Sequence, residues 1–316
     1  ENGGAAFVLV YLACVIVIGV PILMAEILIG RRGRMSPPGS MREIAIQEGR
    51  SPRWQLVGHM SLLAAFLIEI VYAVIAGWVL WYLFKAIVYG YVGVDATVAE
   101  TTFATVLTNT LGMLFWTVLG LAITGFIIFS GLKKGIERAV IILMPLLFLL
   151  LIALVIFNTL LGGFTEALTW LFTPDWTKIT PAVFLAAIGQ AFFSIGVAMA
   201  GQMTYGAYLP KQISIGQSVL TIVAADTLVA ILAGLVIFPA VFHHGLDPAA
   251  GPGLIFQTLP VAFAQMPGGH VFGILFFLLL SVAAITSMVG LIEPITAWLE
   301  EHHGFARHKS AVAVVG

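Results

Sequence analysis

The sequence predicts an all-α polytopic membrane protein, and three observations carry that prediction. Of 316 residues, 60% are hydrophobic and only 9% are charged, whereas about a quarter of a soluble domain is charged. Seven apolar stretches reach the roughly 20 residues that a helix needs to cross a bilayer core of about 30 Å. The basic residues collect in every second connection between those stretches, which is the pattern that sets orientation in a membrane. A formal charge of -1 leaves no polybasic footprint for nucleic acid. The single cysteine, Cys14, excludes an intrachain disulfide framework.

Taken in order, the spans run over about 5–30, 56–88, 112–130, 137–161, 181–209, 214–241 and 269–300, and another begins at the C-terminal edge. All are helical by length, and none has the ten-residue alternation of a barrel strand. Together they make residues 1–316 a single transmembrane domain. The chain starts at Glu1 and stops inside the apolar run 311–316, which reads as a piece of a longer membrane protein.

The connections give orientation. Loop 31–55 holds Arg31, Arg32, Arg34, Arg42, Arg50 and Arg53; the turn near 131–138 holds Lys133, Lys134 and Arg138; Lys211, Arg307 and Lys309 follow on the same side. The opposite side holds only Lys85 and Lys178. These assignments make loop 31–55 cytoplasmic and put residue 1 outside the cell (inner) membrane. Residues 41–55 read as a short surface helix after a turn at Ser36-Pro37-Pro38-Gly39. Residues 242–268, with His243, His244, Pro248, Pro252, Pro260 and Pro267, read as a folded outer hairpin.

Four acids fall within the spans: Glu26, Glu69, Asp226 and Glu293. An ionisable group at membrane depth is costly and marks a functional route by default. Glu26 stands near Arg31 and Arg32, which favours a structural ion pair there. Glu293 precedes Pro294 and has two readings, a functional one and a hydrogen bond to backbone freed by the proline. Glu69 lies three residues before Tyr72, on roughly the same face. Asp226 is the strongest candidate, because no Lys or Arg occurs between Lys211 and Arg307 to neutralise it. A bound cation would do so, and sodium takes several oxygens, including the carbonyls of uncoiled helix. The run from Phe192 to Gly201 places glycines and small residues where the fifth span can break. Thr286 and Ser287 put adjacent hydroxyls in the seventh, although such groups often bond back to the preceding turn.

Four motifs then carry a resemblance. The opening Glu1-Asn2-Gly3-Gly4-Ala5-Ala6-Phe7, running on to Tyr11, Pro21, Glu26 and Gly30-Arg31, is similar to the segment joining the first two helices of the neurotransmitter:sodium symporter family. Gly131-Leu132-Lys133-Lys134-Gly135-Ile136-Glu137-Arg138 with Met144-Pro145 resembles its cytoplasmic turn. Gly189-Gln190 through Phe193-Ser194 to Thr204-Tyr205 and Tyr208 resembles its sixth helix, and Ala283 to Pro294 its eighth. The order and spacing hold over nearly the whole chain.

The resemblance implies an inverted-repeat sodium symporter fold of the leucine-transporter type, with substrate and sodium between broken helices. In this register the chain lacks most of the family's first helix and everything after the start of the ninth, so half of each of two sodium sites is missing. The first sodium site carries over to Ser194 and Asp226, and the second to Ala283, Thr286 and Ser287. The anion-site positions are Tyr11, Gln190 and Ser194. With Asp226 beside them to supply negative charge, the resemblance implies that chloride is not required. Substrate contacts carry over to Ile68, Tyr72, Phe193, Ser194, Gly196, Ala198, Met199, Ser287 and Leu291, and the inner gate to Tyr208 and Glu301. Where the family often reads Ser-Leu-Gly-aromatic-Gly, this chain reads Gly196-Val197-Ala198-Met199-Ala200. Alanine forms helix better than glycine by about 1 kcal/mol, which displaces the expected break toward Gly196.

The implied function is sodium-coupled symport of an amino acid or similar small zwitterion by alternating access. A sodium-independent exchanger of the same fold and a non-transporting membrane fragment are the alternatives. An enzyme is disfavoured: there is no His-Glu-x-x-His motif, and His59, His270, His243-His244 and His302-His303 lie at span ends or in loops.

Overall fold

The computed structural model describes residues 3–159, 163–243, 251 and 253–315, apart from the side chain of Lys133. Helices α1 (Ala5–Cys14) and α2 (Val20–Gly33) are joined by one π-helical turn, Val15–Gly19, into a continuous rod. Arg34 ends it in the left-handed conformation, φ 57°. Helix α3 (Pro37–Gln47) starts four residues before the expected surface helix. The two prolines sit in its first turn, where their missing N–H groups cost nothing, and the Ser36 hydroxyl accepts from the Gly39 N–H.

Helix α4 (Gln55–Val88) is followed by α5 (Ala96–Thr108), capped by Asp95, and α6 (Thr110–Phe129), capped by Asn109. A π turn over Leu132–Glu137 leads into α7 (Arg138–Thr159). The short α8 (Phe164–Phe172) precedes α9 (Pro181–Ser194) and α10 (Gly201–Tyr208), which are halves of one broken rod. Then come α11 (Ile215–His243), α12 (Leu259–Gln265), α13 (Gly269–His303) and α14 (Arg307–Val315). Helices α5 and α8 lie in loops where none was expected. Of the expected outer hairpin, α12 and the π turn Leu254–Thr258 are described, whereas His244, Pro248 and Pro252 lie outside the described residues.

Among the described residues, six rods are long and apolar enough to cross a membrane: Ala5–Gly33, Pro52–Val88, Thr110–Phe129, Lys134–Thr159, Ile215–His243 and Gly269–His303. Their outward faces are apolar, with Val17, Leu111 and Phe126 each more than two-thirds exposed, as a lipid-facing surface requires. The longest pair, α4 and α13, run against each other and carry an aromatic core. Tyr82 stacks on Phe277 with centroids 5.2 Å apart and donates its hydroxyl to the Phe256 carbonyl at 2.8 Å.

Small residues let other rods close on each other. A Cβ on Gly206 of α10 would stand 2.5 Å from the Ile27 carbonyl of α2, and one on Gly30 would strike the Met203 carbonyl. Only glycine permits that approach.

Candidate functional site

Helices α4, α9, α10, α11 and α13 converge on a cavity of about 440 Å³. Helix α4 offers Ile68 and Tyr72, one turn apart on one face. Gln190, Phe193 and Ser194 come from the end of α9, Gly196 and Met199 from the break, and Gln202 and Tyr205 from α10. Ile222 and Asp226 close the α11 side, and Ser287 and Leu291 the α13 side. Every residue expected to contact substrate, except Ala198, therefore lines this one cavity. Gln202, Tyr205 and Ile222 were not anticipated. Tyr205 lies inside the Thr204-Tyr205 motif, so a signal for it existed.

The break runs from Ile195 to Ala200. Gly196, Ala198 and Ala200 all adopt positive φ, at 65°, 64° and 62°. The expected displacement toward Gly196 does not occur, because the irregular backbone extends through two alanines despite a cost of about 1–2 kcal/mol for each left-handed L-residue. Glu26 helps to hold it there: its Oε1 accepts from the Ala198 N–H at 2.7 Å. That replaces the ion pair expected for Glu26, since Arg32 binds Glu48 and Arg31 donates to the Ile213 carbonyl. Ala198 thus serves the site through its backbone.

On the far side of Ser194 lies a compact polar cluster. The Ser194 hydroxyl donates to Asp226 Oδ2 at 2.6 Å, and the Tyr11 hydroxyl stands 3.1 Å from both Ser194 Oγ and Asp226 Oδ2. Tyr11, Gln190 and Ser194 also line a second cavity of about 230 Å³ behind this cluster. The Asp226 carboxylate therefore sits among the residues that were candidates for an anion, with hydroxyl oxygens from two other helices beside it. That donor set suits a small hard cation.

The α13 candidates are differently arranged. The Thr286 hydroxyl donates back to the Val282 and Ala283 carbonyls, 3.0 Å away in each case, and Ser287 faces the cavity. The bond brings the Ala283 carbonyl and the Thr286 hydroxyl together, both oxygen ligands of the kind sodium takes.

The expected inner-gate residues Tyr208 and Glu301 line one cavity of about 340 Å³ but bond elsewhere. Tyr208 donates to Glu293 Oε1 at 2.8 Å, and Arg307 grips both oxygens of that wholly buried carboxylate at 3.1 and 2.6 Å. Side chains thus neutralise Glu293, rather than backbone freed by Pro294. Glu301 accepts from the Ser36 N–H and hydroxyl at 2.5 and 3.0 Å. Glu69 is buried on α4 away from the main cavity, and neither of its oxygens has a hydrogen-bond partner among the described residues.

Apolar rods that surround a solute-sized cavity, one of them broken beside it, define a secondary transporter. The chain belongs to the sodium:neurotransmitter symporter family, whose model matches residues 1–92 and 100–316. It is 35% identical over 319 residues to an uncharacterized sodium-dependent transporter of Haemophilus influenzae, covering 99% of this chain and 70% of that one. It is 36% identical over 296 residues to the Bacillus subtilis sodium-dependent transporter YhdH, covering 94% of this chain and 65% of the relative. The crystal structure of MhsT in complex with L-phenylalanine superposes with a TM-score of 0.90 at 43% identity, covering all of this chain and 71% of MhsT. The fold is that of these transporters, and the relatives are transporters rather than enzymes.

Proposed function

We propose that the protein couples downhill sodium movement to uptake of an amino acid with a bulky apolar side chain, by alternating access. The observation that carries this reading is the left-handed break at Gly196–Ala200 opening beside a cavity that Tyr72 and Phe193 share with Ser194 and Asp226. The Tyr72 hydroxyl holds the substrate carboxylate, and Phe193, half-exposed, closes over it from outside. Met199, Ile222 and Leu291 receive the side chain, a wall suited to an apolar or aromatic group. The structural relative bound to L-phenylalanine supports the same substrate class.

Ser194 and Asp226 hold one sodium, and the Ala283 carbonyl with Thr286 and Ser287 holds the other. Because Asp226 already supplies the negative charge within the Tyr11–Ser194 cluster, chloride is not required. The protein spans the cell membrane with its N-terminal residue outside and loop 31–55 in the cytoplasm. Uptake into proteoliposomes tests the reading. Phenylalanine accumulation driven by a sodium gradient, absent with choline and indifferent to chloride, is expected. Sodium-independent exchange, or strict preference for glycine, contradicts it.

A further inference from the structure

Loop 31–55 carries six of the chain's 14 basic residues. Its helix α3 is latched at one end, where Ser36 meets Glu301. At the other end Ile29 of α2, Met41 and Ile44 of α3, and Trp54 wall a groove of about 210 Å³, with Glu48 and Arg50 at its rim. Glu48 is neutralised within the protein by Arg32, 2.5 Å away. Arg50 is fixed at the rim by its backbone N–H, which donates to the Ala45 carbonyl at 2.7 Å. Its exposed guanidinium has no acceptor among the described residues, and Arg53, three positions on, is likewise exposed.

The surroundings place this groove at a membrane boundary. Trp54 is 53% exposed and Leu56, just inside α4, 57%, and tryptophan is enriched where a span leaves the bilayer. A soluble anion would use the arginines but not the apolar groove, and a neutral lipid the groove but not the arginines. An anionic amphiphile satisfies both. We propose that this groove binds one anionic phospholipid, its phosphate held by Arg50 and Arg53 and an acyl chain laid along Ile29, Met41, Ile44 and the Trp54 ring. The proposal rests on the chain crossing a membrane and is independent of what the central cavity carries.

Native mass spectrometry of the detergent-purified chain, offered equal phosphatidylglycerol and phosphatidylcholine, reads this directly. Each basic residue near a surface favours an anionic lipid by about fivefold, so a preference of roughly tenfold or more for one phosphatidylglycerol is expected. Arg50→Gln with Arg53→Gln should abolish the preference, whereas Lys134→Gln, an exposed cation elsewhere, should leave it intact. Equal retention of the two lipids overturns the site, as does a double variant that still selects phosphatidylglycerol. Displacement of the lipid by glycerol phosphate at equal concentration would show a soluble-anion site and overturn the lipid assignment. None of these readouts involves transport, so they fail or succeed separately from the symport reading.

Discussion

Asp226, half-buried, and Glu26, buried, are both acids in apolar rods, yet they do opposite things. Asp226 gathers hydroxyls from Tyr11 and Ser194 and stands on the cavity wall, whereas Glu26 is spent on a backbone N–H. Replacing Asp226 by Asn removes the charge and keeps the shape. The expected result is a sodium requirement raised about tenfold, close to 1.4 kcal/mol, together with a new dependence on chloride; sodium titration of uptake at two chloride concentrations measures both. Glu26→Ala leaves the Ala198 N–H without its charged acceptor, a loss of about 1–3 kcal/mol. Substrate binding should weaken roughly tenfold, and Glu26→Gln, which retains an acceptor, should recover part of it in an equilibrium binding assay. The setting of Asp226, with hydroxyls rather than a basic side chain bonded to it among the described residues, was legible in the sequence because no Lys or Arg lies near it along the chain. That of Glu26 was not, because its partner is a main-chain amide 172 residues away and the nearby Arg31 and Arg32 offered a simpler pairing.

At the scale of elements, α2 and α10 pack with their backbones in close approach. Gly30 and Gly206 admit the close approach, Arg34 donates to the Ala207 carbonyl at 3.0 Å, and Glu26 reaches the break just above. The two helices therefore form one body. Gly206→Val is expected to force them apart at a cost of about 1–3 kcal/mol, visible as a lower thermal midpoint in detergent. Ala200→Gly should act in the opposite direction, stabilising by up to about 1 kcal/mol, because glycine takes the left-handed conformation without a Cβ clash. The existence of a break was readable from Gly196 and its small neighbours. Its full extent was not, since alanine favours helix locally and the Glu26 carboxylate that holds Ala198 outside it lies 172 residues away. Helices α5 and α8 escaped notice for a related reason: they are short elements between spans that the search for membrane-length runs passes over.

Across the whole molecule, Arg307 ties the C-terminal part to the rest. It reaches Glu293 and Glu300 of α13 and the Ile128 carbonyl of α6, and through Glu293 it is linked to Tyr208 of α10. Removing one partner of a buried ion pair strands the other, so Arg307→Met should destabilise by about 3–5 kcal/mol. The double variant with Glu293→Leu should recover much of that loss in thermal unfolding. Motif order made the architecture legible over nearly the whole chain, but carrying Glu301 over to the gate did not foresee that Ser36 would claim it and leave Glu293 to Tyr208.

The π turn at Val15–Gly19 acts as a spacer of phase in this architecture. Tyr11 lies on one side of it and Glu26 on the other, and each touches a different part of the broken rod. A π turn holds about one residue more than an α turn, so deleting one residue from it would close the rod as uninterrupted α-helix with its ends in nearly the same phase. Adding a residue of ordinary α-helix between Tyr11 and Glu26 would instead swing one end about 100° relative to the other. Every contacting side chain would survive, but Tyr11 and Glu26 would no longer meet their partners together. Chain length between these two positions is therefore as much a part of the site as the residues themselves.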